Sequence, residues 1–419
     1  MILNKPLSTM KDTRDSDATD PFHKAIDQSL LLMEKGDAVQ AEAVLRQSIE
    51  ASAEVVSKGS CDVMNELAIL LIDKGELDEA ELFCRQTLAG YEKVLGPEHL
   101  FTFRALANLG NVLREKGSYK EAETLVRRAL EGFDKMHDSC YYLPWALHML
   151  GTLLTEKGDL GEAEAVMRRA LEEYQGNRFE GDVRPEDRET LECTMHLAQL
   201  LRQKVADLSD EDDEIETLYR QALTGFETLL GAEHPDTLMC MGELVTVLFN
   251  KGQYDGCEVL LRRLLERQEK VLGLEQPATL RSLHNLGCLL IDTDDKASAE
   301  ALFRRALTGE QKNLSAEDPT TLRTVHMLSI LLCKKGDNDE AAALYRHGLE
   351  NLEKALESDH RETIKIVDDY CALLTQQGDS NSAIDLFQRT LTWVKNVLGP
   401  DHFISPILRD KIASLTGKT

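Results

Sequence analysis

The stretch YKEAETLVRRALEGF, Tyr119 to Phe133, recurs along this chain, and the interval at which it recurs decides the fold. Residues matching Ala122 in similar stretches are Ala41, Ala80, Ala122, Ala163, Ile215, Cys257, Ala299, Ala341 and Ala383. The steps between them are 39, 42, 41, 52, 42, 42, 42 and 42 residues. A period of that length marks an array of stacked units, each too small to bury its own apolar face. The loops repeat with it: LGPEH at Leu95 to His99, LGAEH at Leu230 to His234 and LGPDH at Leu398 to His402.

Each unit reads as two helices, A and B. In the seventh, Leu283, Leu286, Gly287 and Leu290 lie at i, i+3, i+4 and i+7, one face of a helix. A turn follows, marked in the successive units by Gly36, Gly75, Gly117, Gly158, Gly252, Gly336 and Gly378. Helix B, such as AEALFRRALTGEQKNL, keeps the 3.6-residue period, and Gly96, Gly231 or Gly399 ends it. Pro235, Pro277 and Pro319 suit the first turn of the next helix, where a missing N–H costs nothing. The hydroxyl residues close behind, Ser60, Thr102, Thr190, Thr237, Thr279, Thr321, Thr363 and Ser405, are expected to satisfy unpaired N–H groups at the helix start.

Composition agrees with an all-helical chain: 419 residues, 10 prolines and 5% aromatics. A balance of 48 basic against 74 acidic residues, net −26, disfavours nucleic acid and anionic membranes as partners. No stretch approaches the ~18 apolar residues of a membrane span, and residues 1–20 lack the apolar core of a signal peptide. Nine cysteines, scattered singly, read as reduced thiols of a cytoplasmic protein.

Small residues select the kind of repeat. One lies in helix A (Ala68, Gly110, Gly151, Ala198, Gly287, Ser329, Cys371); helix B has the Ala122 series and, seven residues on, Ala129, Ala170, Ala222, Ala306 and Gly348. This arrangement resembles the tetratricopeptide signature, lengthened by about two helical turns. Within that class, Leu230 to Leu238 (LGAEHPDTL), HNLGCLL and EALFRRAL resemble the repeats of kinesin light chains. The resemblance spans roughly residues 21 to 404 and implies a right-handed solenoid superhelix that binds proteins; kinesin heavy chain or its cargo are the partners it implies. The heptad segment that the family carries ahead of its repeats has no counterpart in residues 1–20, and the asparagine of its NLA run is matched only by Asn108 and Asn285.

The expected organisation is a tail (1–20), nine units (21–59, 60–101, 102–142, 143–189, 190–236, 237–278, 279–320, 321–362, 363–404) and a capping helix with tail (405–419). The A helix leaves a second stripe, two residues round from the core stripe, that should line a concave groove. It comprises Arg281, His284, Asn285 and Cys288; Arg323, His326, Met327 and Ile330; Lys365, Asp368, Asp369 and Ala372; Arg104, Ala107, Asn108 and Asn111; and Trp145, His148, Met149 and Thr152. Arg281, Arg323 and Lys365 form a row of cations suited to an extended acidic or aromatic-acidic segment. Exposed ion pairs contribute about 0.2 to 1 kcal/mol each. Three fall short of the ~8 kcal/mol of micromolar binding, so an apolar anchor, at Met327 and Ile330, is required.

Two features break the period. The 52-residue step carries extra residues in YQGNRFEGDVRPEDRE and KVADLSDEDDE, where Ser209 precedes an acidic run that suits a regulatory acidophilic kinase. CYYLPW, Cys140 to Trp145, reads as packing between units or as an interface patch for self-assembly, the alternative function of another class. No H-E-x-x-H, nucleophile elbow or phosphate loop is present, and GKT at Gly417 to Thr419 lacks the glycine and strand of one. The reading is a non-catalytic interaction scaffold without cofactor or metal.

Overall fold

The computed structural model describes residues 20–51, 56–136, 142–176, 187–204, 211–291, 295–314, 318–350 and 352–416. Nineteen helices and no strand are found among them. The chain falls into two compact units, Met1–Gly231 and Ala232–Thr419. The first holds five A–B pairs: α1 (Pro21–Glu34) and α2 (Ala38–Ala51), α3 (Lys58–Lys74) and α4 (Leu77–Val94), α5 (Leu100–Glu115) and α6 (Tyr119–Asp134), α7 (Tyr142–Lys157) and α8 (Leu160–Gly176), α9 (Arg188–Lys204) and α10 (Glu211–Leu229). The second holds α11 (Pro235–Asn250) and α12 (Tyr254–Val271), α13 (Pro277–Leu290) and α14 (Lys296–Asn313), α15 (Pro319–Lys335) and α16 (Asn338–Gly348), α17 (Leu352–Gln376) and α18 (Ser380–Val397), then α19 (Ile404–Thr416). Asp359 (φ −148°, ψ 86°) interrupts α17, and its Oδ1 accepts from the Glu362 N–H at 3.2 Å. The first part of α17 therefore continues the B helix that α16 begins, and the second part is the A helix of the ninth repeat.

The repeated loop works differently from the sequence expectation. In LGPEH the Nδ1 of His99 is the acceptor at the helix start, taking the Phe101 N–H at 3.2 Å; His234 does the same for Asp236, also at 3.2 Å. Burial, with Lys58 nearby, lowers the pKa of His99 and keeps its imidazole an acceptor. The threonine behind faces the other way. Thr102 and Thr279 donate to the carbonyls of Gly96 and Gly273 at 2.7 and 2.9 Å, and Thr363 donates to Ala355 at 2.8 Å. From the third position of α5 and α13 the hydroxyl reaches back and latches the preceding loop. Ser60, at the same third position of α3, instead acts at the start, within a reciprocal pair with Ser57. Gly96, Gly231 and Gly399 all have positive φ, which allows the loop to leave helix B.

The small residues sit where A and B helices cross. A Cβ on Gly110 would lie 2.5 Å from Val126 Cγ2, and one on Gly287 2.8 Å from Phe303 Cε1. Ala122, Ala163 and Ala299 are fully buried at the opposing positions. The aromatic break in the repeat is packing: Tyr142 stacks on Phe133 (5.9 Å between ring centroids) and meets Trp145 edge-on (6.3 Å). Cys140 and Tyr141 lie outside the described residues.

The paired arginines of helix B are explained by ion pairs that run both ways along the array. Arg127, Arg168 and Arg304 reach forward to the next B helix, to Glu162, Glu214 and Glu340 at 2.8, 2.7 and 2.8 Å. Arg128, Arg169 and Arg305 reach back, to Glu92, Asp134 and Glu269 at 3.1, 2.6 and 2.5 Å. A third rung joins the ends of α3, α5, α7 and α9 to the preceding B helix, as Lys74–Glu42, Lys116–Glu81, Lys157–Glu123 and Lys204–Glu164, at 2.5 to 3.0 Å. Single exposed pairs contribute little, but here Glu42, Glu81, Glu123 and Glu164 each hold two cations and the geometry repeats with the fold. Many cations of this acidic chain are occupied in that ladder.

Candidate functional site

The second stripe of the A helices has two different characters. In the first unit it is closed. Arg104 is 3% exposed, lies over the rings of Phe101 and Tyr142 (5.6 and 5.9 Å), donates to Tyr142 Oη at 3.3 Å and is 3.9 Å from Glu66. Asn108 donates to Asn65 at 2.8 Å, and Asn111 accepts from Arg114 at 3.2 Å. His148 Nε2 lies 2.7 Å from His196 Nδ1, and burial, with His196 and Arg114 adding to it, holds the His148 pKa well below the usual histidine range. Arg104, Asn108, Asn111 and His148 were expected to face an open groove; all four are buried. Arg104, Asn108 and His148 bond to neighbouring A helices, which spacing along one helix does not reveal, and Asn111 is held by Arg114 of its own helix.

In the second unit the stripe is open and cationic. Arg281, Arg323 and Lys365 are exposed on α13, α15 and α17, with Asn285 exposed one turn from Arg281 and Met327 and Ile330 half-buried near Arg323. Neither Arg281 nor Arg323 makes an ion pair with a described residue; Arg323 Nε donates to the Pro319 carbonyl at 3.2 Å. Lys365 is already paired, 3.1 Å from Glu362. His326 is buried: its Nδ1 lies 2.6 Å from Glu362 and its Nε2 2.7 Å from Asp369, both on the next A helix. Burial works against its charge, but the bonds to Asp369 and Glu362 outweigh that and raise its pKa to about 9. It is an inter-repeat clasp rather than a surface ligand. His284 is half-buried, and burial lowers its pKa to about 4; its Nδ1 meets Thr324 Oγ1 at 3.0 Å and its Nε2 meets Cys288 Sγ at 3.4 Å. Ser209 lies outside the described residues.

Among the described residues no group of three His, Cys, Asp or Glu is arranged to hold a metal ion, and no helix is long and apolar enough to cross a membrane. The eight described cysteines are free thiols.

Comparison with known proteins agrees with this architecture. Two tetratricopeptide repeat models match, one over residues 59–135 and 242–312, the other over 145–175, 208–236 and 321–362. Together they cover more than half of the chain, and the chain belongs to the tetratricopeptide repeat family. Among solved structures, the apo form of RapI matches with a TM-score of 0.56 at 12% identity, over 85% of this chain and 98% of that one. The apo quorum sensor NprR from B. thuringiensis matches at 0.53 and 13% identity, over 90% and 100%. A putative kinesin light chain from Podosopora anserina is similar at 21% identity over 51% of this chain and 95% of that one, with a TM-score of 0.42. No curated protein matches. The two fuller likenesses establish the fold, a solenoid of helix pairs, and the repeat family to which the chain belongs is a scaffold suited to protein–protein interaction.

Proposed function

We propose that this protein is a non-catalytic scaffold of the cytoplasm, and that it holds an extended acidic or aromatic-acidic segment of a partner along the A helices of its second unit. The observation that carries the reading is the exposed pair Arg281 and Arg323, 42 residues apart on consecutive A helices and without ion pairs to described residues, in a chain of net charge −26 whose other cations are extensively paired. The half-buried Met327 and Ile330 beside them supply an apolar seat for an aromatic anchor, the burial that such a groove requires beyond its charges. Lys365 is the lesser contributor, because it is already paired with Glu362. Free, buried thiols suit a reducing compartment.

The test is a pull-down from cytosol with the wild type and with Arg281→Glu/Arg323→Glu, the retained proteins being identified by mass spectrometry. Partners should be lost from the double variant and retained by Lys365→Glu to a larger extent. The identities show whether they include a motor chain, a cargo or neither. An unchanged set in the double variant overturns the groove assignment.

A further inference from the structure

One position of helix B is buried in every repeat from the second to the ninth: Tyr91, Phe133, Tyr174, Phe226, Gln268, Glu310, Leu352 and Val394. It is aromatic or aliphatic in six of these repeats, and Glu310 is its one carboxylate. An unpaired carboxylate in a core position is costly, so what faces it matters. Thr324 Oγ1 donates to Glu310 Oε1 at 3.0 Å, and His284 Nδ1 lies 3.0 Å from the same hydroxyl. On the far side of that ring, His284 Nε2 lies 3.4 Å from the half-buried Cys288 thiol. Four side chains from α13, α14 and α15 thus form one hydrogen-bonded line that starts in the core and ends at a thiol on the stripe that carries Arg281 and Asn285. Glu310 Oε2 has no hydrogen-bond partner among the described residues.

We propose that Glu310, acting through Thr324 and His284, sets the direction of this line and thereby gates the nucleophilicity of Cys288, which the structure assigns as a modifiable thiol for soft electrophiles. With Glu310 ionised, Thr324 donates to Glu310, His284 Nδ1–H donates to Thr324, and Nε2 is left with a lone pair that accepts the Cys288 S–H. When Glu310 takes a proton from water, that proton belongs on Oε1, since on the partnerless Oε2 it would be an unsatisfied buried donor. Glu310 then donates to Thr324, Thr324 donates to Nδ1, and the imidazole proton moves to Nε2, where it points at the sulfur. The acceptor for the thiol proton is gone.

Burial, with Asp318 adding to it against the hydrogen bond from Thr324 and the charge of Arg323, raises the pKa of Glu310 to about 7, so the reversal falls near neutrality. The other charges facing the line are Arg323 of α15 and Glu362 of α17, which act on His284 in opposite senses. Burial pushes the Cys288 thiol up to about 12, despite Arg323, so at neutral pH it reacts only as its proton is removed. In the addition of N-ethylmaleimide, the S–C bond forms as the thiol proton passes to Nε2. The electron pair moves onto the maleimide as an enolate, which takes a proton from water, and the imidazolium returns its proton to solvent.

The experiment is peptide mapping by mass spectrometry of N-ethylmaleimide addition to the whole chain, between pH 5.5 and 8.5. Cys333, a half-buried thiol of α15 without an imidazole hydrogen bond, serves as internal reference. The Cys288 rate should rise about tenfold through pH 7 and then level off, a modest gain because this imidazole is a weak base, whereas the Cys333 rate climbs steadily with its thiolate fraction. The Cys288 rate should lose that inflection in Glu310→Gln and in Thr324→Val, which breaks the line while keeping its shape. A Cys288 rate that simply parallels that of Cys333 in the wild type, or the same inflection in both variants, overturns the proposal. An adduct on Cys288 would also lie beside Arg281, and its effect on partner capture rests on the groove reading; the addition rates do not, so the two fail separately.

Discussion

Gly110 stands where α5 crosses α6, and the absent side chain is what allows Val126 and the Ala122 carbonyl to approach. Gly110→Ala should destabilise the protein by ~1 to 3 kcal/mol, because the new methyl group overlaps Val126 and the crossing has to open. Gly161, on the exposed face of α8 with nothing within 4 Å of its missing Cβ, is the control: there alanine should stabilise by up to ~1 kcal/mol through helix propensity alone. Urea denaturation of the two variants beside the wild type measures both signs. At this scale the sequence was informative about backbone and poor about side-chain partners. The glycines that end helices and admit close crossings were legible because their constraint is local. The cap was assigned to the hydroxyl behind LGPEH, although His99 supplies it, because both histidine and threonine can bond at a helix start and only the folded chain shows which group each one faces.

Between neighbouring A helices, His326 clasps Glu362 and Asp369, and the pH dependence of that clasp follows from the direction of each shift. The pKa of His326 is raised to about 9 from an ordinary 6.5, so its contribution to stability is complete below pH 6.5 and is lost as pH rises through 9. The bond from His326, against burial and helped by Lys365, lowers the pKa of Glu362 to about 2, so its contribution is complete above pH 4.5 and is lost as pH falls through 2. The stability difference between wild type and His326→Gln should therefore be greatest between about pH 4.5 and 6.5 and shrink steadily towards pH 9. Equilibrium denaturation at a series of pH values checks it, and a difference that grows above pH 7 contradicts the clasp. The helices themselves, their order and their turns were readable from periodicity. Which members of the second stripe would be open was not: Arg104 and Arg281 occupy equivalent places in the repeat, yet Tyr142, Phe101 and Glu66 enclose one and leave no counterpart over the other.

Over the whole chain, an excess of 26 negative charges coexists with cations drawn into ladders along the B helices. Partner capture by the row on the second unit should weaken as salt is raised from 0.05 to 0.5 M, on the order of the screening expected for exposed charges. Charge reversal on the B-helix face, Arg127→Glu with Arg168→Glu, should leave capture unchanged, since those arginines are engaged with Glu162 and Glu214. A quantitative pull-down across that salt range distinguishes the two faces. Repeat number, helix class and the kind of repeat were determined by the sequence alone, because each unit obeys the same short-range rules of helix period, turn glycine and small crossing residue. The open or closed state of each stretch of the A-helix stripe and the line from Glu310 to Cys288 were decided only by the tertiary structure. They depend on groups brought together from different repeats, 14 residues apart for Thr324 and Glu310 and 40 for His284 and Thr324, and no periodicity within one unit encodes which side chain the next unit will present.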